Sequence, residues 1–167
     1  MSVAEDVAAI IAQEQALVFD RFGEAAAFAI GSAIYERAMR EDLALVVDVR
    51  LWDRALFFAA TPGTTAANAD WVRRKVNVVR MTQNSTYQLA VARPGEERSF
   101  PADRGLSASD YVLAGGGFPI RVRGVGVVGA ITVSGLPERE DHAVVVAAIC
   151  AHLGLDYGQL ALPPTTA

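Results

Sequence analysis

The chain has 167 residues, of which 52% are hydrophobic and 20% charged, and its formal net charge is −4. This composition is typical of a globular protein and excludes a disordered chain. The acidic balance disfavours a broad nucleic-acid surface, because such a surface needs a basic face to neutralise phosphates. The length fits one domain, and we expect residues 1–167 to form it.

The N-terminal segment lacks the features of a targeting sequence. Residues 1–17 contain no Lys or Arg and carry three acidic side chains, whereas a signal peptide needs a basic start and an unbroken apolar core. No uncharged apolar run approaches the roughly 20 residues of a membrane span. The single cysteine, Cys150, excludes an intrachain disulfide and fits a reducing compartment. We therefore expect a cytoplasmic protein with no membrane or nucleic-acid partner.

Hydrophobic periodicity predicts the elements of the first half of the chain. Apolar residues at helical spacing indicate two helices, and stretches rich in Val, Leu and Phe indicate strands, two of which are joined by a tight turn at Trp52 and Asp53. In order, the predicted elements are a helix over 3–14, a short strand at 16–20, a helix over 24–40 and a hairpin with strands at 43–51 and 54–61.

The second half begins with capping signals. Thr64 or Thr65 is a good N-cap for a helix, and Ser85 can cap a shorter one. Residues 93–110, rich in Pro, Gly and charge, are predicted to be an irregular surface loop. The elements predicted here are helices from 64 to 80 and 85 to 91, strands at 118–123 and 126–134, and a helix over 137–153.

The predicted order α-β-α-β-β-α-α-β-β-α decides the fold class. A doubly wound parallel sheet needs strands and helices that alternate throughout, and this chain contains two hairpins instead. We therefore predict an α/β (α+β) fold: a three-layer α/β/α domain with a central antiparallel sheet and helices on its faces.

The run "GVGVVG" at 124–129 has the spacing of a dinucleotide-binding fingerprint. That motif needs a strand before the glycines and a helix that opens within them. Here the β-branched "AITVSG" follows, so the run predicts a hairpin turn at Gly124 with Gly126 and Gly129 in the next strand. A nucleotide-binding loop is the disfavoured alternative.

A second glycine cluster, Gly115–Gly117, precedes the strand at 118–123. One interpretation is a bend that leads into the sheet, and the other is a concavity of backbone N–H groups that binds an anion or a carboxylate. Ser134 and Gly135 lead from the last strand into the last helix. The amide groups at the start of that helix could favour an anion beside the same sheet edge.

The segment "GGGFPIRVRGVGVVGAITVSGLPEREDH" resembles the signature of the haem-degrading-domain family of GlcG- and HbpS-like proteins. "DWVRRKVNVV" at 70–79 and "DH" at 141–142 resemble one uncharacterised branch of that family. The resemblance covers about 43–153. It implies an α/β/α domain that assembles into homo-oligomers, and it makes haem a candidate cofactor. It implies no particular reaction.

Lys75 is the first candidate ligand-binding residue. On a helix its neighbours are Trp71, Val72, Val78 and Val79, so its ammonium lies among apolar positions. It could extend along the rim of the apolar stripe to reach water. Alternatively it could lie at a pocket floor, where it would need a partner such as a carbonyl, the Asp141 carboxylate or a bound anion.

His142 is the second candidate. It aligns with the apolar stripe of the last helix, so it could be a packed core histidine, a haem iron ligand or an acid–base group. Two histidines and one cysteine cannot complete a closed zinc site, and no nucleophile–base motif is present.

These residues predict one ligand pocket in a cytoplasmic homo-oligomer. Its ligand would be small, with haem the candidate that the resemblance supplies. Two alternatives stay open: an enzyme that acts on a small anionic metabolite, or a structural or adaptor oligomer. The predicted ligand-binding residues are Lys75, Gly115, Gly116, Gly117, Ser134, Asp141 and His142, and His142 is also the possible iron ligand.

Overall fold

The computed structural model describes residues 3–93, 95 and 97–164. Within these residues the chain forms six α-helices and five β-strands. The helices are α1 (Val3–Ala16), α2 (Glu24–Arg40), α3 (Ala66–Thr82), α4 (Thr86–Val91), α5 (Glu138–Leu153) and α6 (Tyr157–Leu160). The strands are β1 (Val18–Phe19), β2 (Val46–Leu51), β3 (Ala55–Ala60), β4 (Gly117–Val122) and β5 (Gly126–Ser134).

The strands form one sheet in the order β1-β4-β5-β2-β3. The β2–β3, β2–β5 and β4–β5 pairs are antiparallel, as predicted. The prediction of a fully antiparallel sheet is wrong at one edge, because β1 pairs with β4 in parallel. The cause is topological: β1 has no hairpin partner and joins the sheet beside a strand nearly one hundred residues later, whose direction is set by its hairpin with β5.

The sheet lies between two helical layers, which confirms the three-layer prediction. Side chains alternate between the faces of a strand. Val47 and Ile131 share one buried cluster with Ile34 of α2 and Ile149 of α5. On the opposite face, Val46 packs against α3. α3 covers β2, β4 and β5, whereas α2 covers β2 and the edge strand β3.

Local sequence explains where the two helices that matter most for the site begin and end. The Thr65 hydroxyl accepts a hydrogen bond from Ala67 N, and the Asn68 side chain accepts one from Thr65 N, so a capping box starts α3. α5 starts after Pro137 and ends at Gly154, whose φ of +69° is a left-handed conformation that favours glycine. These caps fix the ends of the helices that carry Lys75 and Asp141.

The glycine run at 124–129 is a hairpin, and no helix begins within it. Gly124 has φ +74° in the turn between β4 and β5. Gly129 lets the backbone of β2 approach, since a Cβ there would lie 2.0 Å from Arg50 O. The hairpin prediction is therefore confirmed, and the strand–helix geometry that a dinucleotide needs is absent from this described segment.

Two features of the fold were not predicted. α6 is a single turn capped by Asp156, whose carboxylate accepts from Gly158 N at 2.8 Å. Within the predicted loop at 93–110, positions 94 and 96 lie outside the described residues, and a 3-10 turn occupies Ala102–Arg104. In the part of the chain that the structure describes, no helix combines the length and apolar character needed to cross a membrane.

Candidate functional site

Lys75 lies on the buried face of α3, and its side chain is only 2% exposed. Its ammonium donates one hydrogen bond to the Val133 carbonyl on β5 and one to Asp141 Oδ2, each at 2.9 Å. The ammonium lies beside the glycine-rich entry to β4, since a Cβ at Gly116 would lie 2.8 Å from its Nζ. Two of its three N–H donors are thus bonded to protein.

Asp141 is the partner of Lys75 and is equally buried. Its carboxylate also accepts from Leu136 N at 2.9 Å and from Gly135 N at 3.4 Å. Burial lowers the pKa of the Lys75 ammonium and raises the pKa of the Asp141 carboxyl, while the attraction between the two groups opposes both shifts. The result is a closed ion pair that joins α3 to the first turn of α5.

The three glycines at 115–117 allow this pair to form. A Cβ at Gly116, where φ is +122°, would lie 2.3 Å from Val133 O and would also displace the Lys75 ammonium. The amide of Gly117 donates to the Thr86 hydroxyl at 3.0 Å, and that of Gly115 contacts the Glu138 carboxylate at 3.4 Å. The cluster therefore serves close packing behind Lys75, with the amides of Gly115 and Gly117 already bonded to protein.

Lys75, Ser134 and Asp141 line one cavity of about 400 Å³, here named the Lys75 cavity. It opens where the end of β5, the start of α5 and α3 meet, and residues from the 97–114 segment form its remaining wall. Of the seven predicted residues, these three line the cavity, the glycines lie behind it and His142 does not reach it. The other lining residues are Asn68, Trp71, Arg98, Ala114, Gly135, Leu136, Pro137 and Glu138.

Some residues of the cavity gave no signal in the sequence. Arg98 belongs to an irregular segment without periodicity, and it forms an ion pair with Glu138 at 3.0 Å. Trp71 lies one helical turn before Lys75. At this position the sequence does not distinguish an aromatic residue that packs in the core from one that lines a cavity. Trp71 lines the cavity, and the Arg74 guanidinium lies over its ring in a cation–π contact, 4.6 Å from the ring centroid.

His142 is wholly buried beside the cavity rather than in it. Its Nε2 is 2.7 Å from Gln13 Oε1, and the Gln13 amide in turn donates to Leu160 O at 2.7 Å. That second bond fixes the amide orientation, so Nε2 of His142 carries the proton. Its Nδ1 has no hydrogen-bond partner among the described residues. Burial, aided by Arg139, lowers the pKa of His142 to about 3, so the ring is neutral.

The structure therefore does not bring His142 to a place where it could bind iron. Its ring packs against Tyr87 and Phe118, with centroids 5.1 and 5.9 Å away. Asp141 and His142 are adjacent on α5, yet successive helical positions point about 100° apart, so one faces the ion pair and the other faces α1. No group of three or more His, Cys, Asp or Glu residues in the described chain could hold a metal ion.

Comparisons with known proteins agree with this architecture. A UPF0303 protein of Mesorhizobium japonicum is 57% identical over 162 residues, which cover 97% of each chain. The crystal structure of the Ybr137w protein superposes with a TM-score of 0.80 at 20% identity, covering 89% of this chain and 87% of that one. A PduOC:haem complex superposes with a TM-score of 0.65 at 20% identity, covering 78% and 94%. At such identities the two structures show the fold alone.

A family model supplies the assignment that these likenesses support. The model described as haem degrading protein HbpS-like matches residues 22–150. This span includes the sheet from β2 to β5, α3 and nearly all of α5, so it contains both members of the Lys75–Asp141 pair. The chain therefore belongs to the HbpS-like family of haem-degrading proteins.

Proposed function

We propose that this protein binds a small anionic ligand in the Lys75 cavity. The observation that carries the proposal is the buried ammonium that lines a cavity with one N–H donor that no described residue accepts. The Ser134 side chain lines the same cavity. Its hydroxyl forms no hydrogen bond with any other described residue that lines the cavity. A carboxylate or phosphate oxygen would satisfy both donors.

The charges around the cavity favour a small ligand with one anionic group. Lys75 and Arg98 are positive, but Asp141 and Glu138 are each paired with one of them. An incoming anion would compete with Glu138 for the exposed Arg98 guanidinium more easily than with Asp141 for the buried ammonium, because surface pairs are weak. The expected geometry is an anion that accepts from Ser134 and from the third N–H of Lys75 without displacing Asp141, with Trp71 against its apolar part.

Calorimetric titration with acetate, malonate and inorganic phosphate tests this function. The test variants are Ser134→Ala, which removes one donor, and the double variant Lys75→Met/Asp141→Asn, which removes the ion pair without leaving one charge buried. Arg80→Met, on the same helix but outside the cavity, is the matched charge control. We expect at least one anion to bind to the wild type and to Arg80→Met, and to bind tenfold or more weakly to both test variants. Equal binding to all four proteins, or no binding of any anion, would contradict the proposal.

Haem binding is the second candidate function. The family description and the PduOC:haem complex favour it. The Lys75 cavity does not fit this cofactor, because four of its described lining residues are charged and none is a His, Cys, Met or Tyr that could serve as an axial ligand. His142 is enclosed. A haemin titration followed at the Soret band tests the candidate, and we expect His142→Gln to give the spectrum of the wild type.

We also propose that the protein forms a homo-oligomer in the cytoplasm. β3 lies at an edge of the sheet, and its sequence ALFFAA carries no charge or proline. Natural edge strands are usually protected by such residues, so an unprotected apolar edge suggests pairing with another chain. Phe58 on this strand is 55% exposed. A cytoplasmic location is consistent with the single buried thiol of Cys150.

A further inference from the structure

A second and larger cavity lies away from the Lys75 site. It has a volume of about 700 Å³ and lies between the end of α3, α4, residues 92–93 and the region 100–113. We name it the Arg93 cavity, after the arginine just beyond α4. Its volume is within the range of about 300–1,000 Å³ that small-molecule sites occupy.

The lining of this cavity is mainly apolar. Its walls come from both helices and from the 100–113 region, so distant parts of the sequence converge on one apolar space. The principal apolar side chains are Met81, Leu89, Phe100, Leu106 and Leu113. Phe100 is further positioned by an edge-to-face contact with Tyr111, at 6.2 Å between ring centroids. Such a lining can hold an alkyl chain or a ring of comparable size.

Two arginines, Arg93 and Arg104, also line the cavity, and no carboxylate does so among its described lining residues. Arg93 Nη1 is buried and has no hydrogen-bond partner in the described chain. A buried guanidinium N–H without an acceptor is costly, so such a group calls for an anion or another acceptor. Arg104 likewise takes part in no ion pair within the described residues, unlike Arg98 and Arg139, which each contact a carboxylate.

A structural role alone does not account for Arg93. A cation near a helix C-terminus interacts favourably with the helix dipole, and Arg93 follows the last residue of α4, Val91, by two positions. That effect explains the charge but leaves the unsatisfied Nη1 unexplained. An apolar wall that ends at two unpaired arginines matches a ligand with an apolar body and an anionic head.

From this arrangement we infer that the Arg93 cavity binds an apolar monocarboxylate, with the alkyl or aryl body against Phe100 and Leu113 and the carboxylate on Arg93. A guanidinium can hold a carboxylate through two parallel N–H bonds, and Arg104 adds a second positive charge. This site is separate from the Lys75 cavity in lining residues and in ligand class, because its ligand needs a large apolar part.

Isothermal titration with two probes of equal chain length tests the inference. Decanoate supplies the anionic head, and decyltrimethylammonium supplies a cationic head on a chain that likewise has ten carbons, counting the carboxyl carbon of decanoate. We expect decanoate to bind the wild-type protein at one site per chain and the cation to bind at least tenfold more weakly. Equal affinities, or no decanoate binding, would overturn the inference.

Variants locate the site. Arg93→Met keeps the aliphatic stem and should weaken decanoate binding at least tenfold, and Arg104→Met should weaken it severalfold. Arg40→Met, at the exposed end of α2, removes the same charge elsewhere and should change nothing. Unchanged affinity in Arg93→Met would overturn the assignment.

A steric variant covers the case in which Arg93→Met does not fold. Ala92→Phe keeps both arginines and fills the cavity from the residue beside Arg93. It should abolish decanoate binding and leave the binding of small anions at Ser134 and Lys75 unchanged. Full decanoate affinity in this variant would place the ligand elsewhere and reject the inference.

Discussion

At the scale of single residues, the buried ion pair between Lys75 and Asp141 has a large effect on stability. Both side chains are 2% exposed, so water does not reach either charge, and each side chain neutralises the charge of the other. Removal of one partner from a buried pair typically costs about 3–5 kcal/mol, whereas replacement of both can be close to neutral. The loss of either residue alone is therefore expected to destabilise the protein much more than the replacement of both.

This predicts a strongly non-additive mutant cycle. Lys75→Met and Asp141→Asn should each lower the free energy of unfolding by about 3 kcal/mol or more, because each leaves one buried charge unpaired. The double variant should lose much less than the sum of the two. Urea denaturation of the four proteins measures the coupling. Additive losses would mean that the two charges do not interact in the folded protein.

His142 predicts a pH dependence of stability. Its pKa is about 3 in the folded protein and about 6.5 in an unfolded chain. At pH values between these two pKa values, the unfolded state binds more protons than the folded state. The contribution of His142 to the free energy of unfolding is therefore complete only above pH 6.5. It falls by up to roughly 1.4 kcal/mol per pH unit as the pH drops towards 3.

The comparison of variants isolates this contribution. Burial raises the pKa of Glu14 and of Asp141. The contribution of these carboxyls to the free energy of unfolding therefore increases as the pH falls, which is opposite to the effect of His142. His142→Gln should therefore show a shallower acid-side loss of stability than the wild type. Chemical denaturation between pH 7 and 4 measures the slopes, and identical slopes for the wild type and His142→Gln would contradict the assignment.

At the scale of elements, the sequence predicted the order of the helices and strands well. Periodicity and caps were sufficient for α2, α3, α5 and the β4–β5 hairpin, since each carries its own local signal. β1 has only two paired residues, and its parallel pairing with β4 depends on contacts about one hundred positions away. No local pattern encodes such a pairing.

The candidate site was predictable in part, for the same reason. Lys75 stood out because a charge within an apolar stripe is locally visible, and Asp141 was among the partners that its burial required. The enclosure of His142 by Gln13 and Tyr87 depends on α1 and α4, and the approach of Arg98 depends on an irregular segment. These are tertiary contacts, and they decide which candidates share a cavity.

The entry to β4 predicts a large effect for a small substitution. Gly116→Ala would add a Cβ that meets Val133 O and Lys75 Nζ, at a φ of +122° that L residues rarely adopt. We expect a loss of about 3 kcal/mol or more in unfolding free energy, from backbone strain together with displacement of the ion pair.

Gly124→Ala is the matched control for this substitution. Gly124 also has a positive φ, +74°, but nothing lies within 4 Å of an added Cβ. It should lose only the conformational cost of about 1–2 kcal/mol. Thermal and urea unfolding of both variants measure the difference. Equal losses at Gly116 and Gly124 would show that contact with the ion pair is unimportant.

At the scale of the whole molecule, the two faces of the sheet are unequally covered at the β3 edge. On one face, α2 covers β3, where Gly31 allows the Phe57 ring to approach its backbone. On the other face, α3 extends over β2 but leaves Phe58 55% exposed. Trp52 and Phe57, which lie in the same hairpin as Phe58, are half-buried within the chain. The free backbone edge and Phe58 therefore form the surface that a second copy would cover.

The exposed edge of β3 predicts where two subunits would meet. Phe58→Lys places a charge on an apolar edge strand, which opposes pairing with another chain without disturbing the core. A stable interface buries about 1,200–2,000 Å², and a few side chains carry most of its binding energy, so replacement of the exposed Phe58 ring should prevent pairing through this edge. We expect light scattering at micromolar concentration to give an oligomer for the wild type and a monomer for Phe58→Lys. Val125→Lys, at the exposed tip of the β4–β5 turn, should remain oligomeric. A monomeric wild-type protein would refute the proposed assembly, and an oligomeric Phe58→Lys variant would show that the subunits meet through another surface.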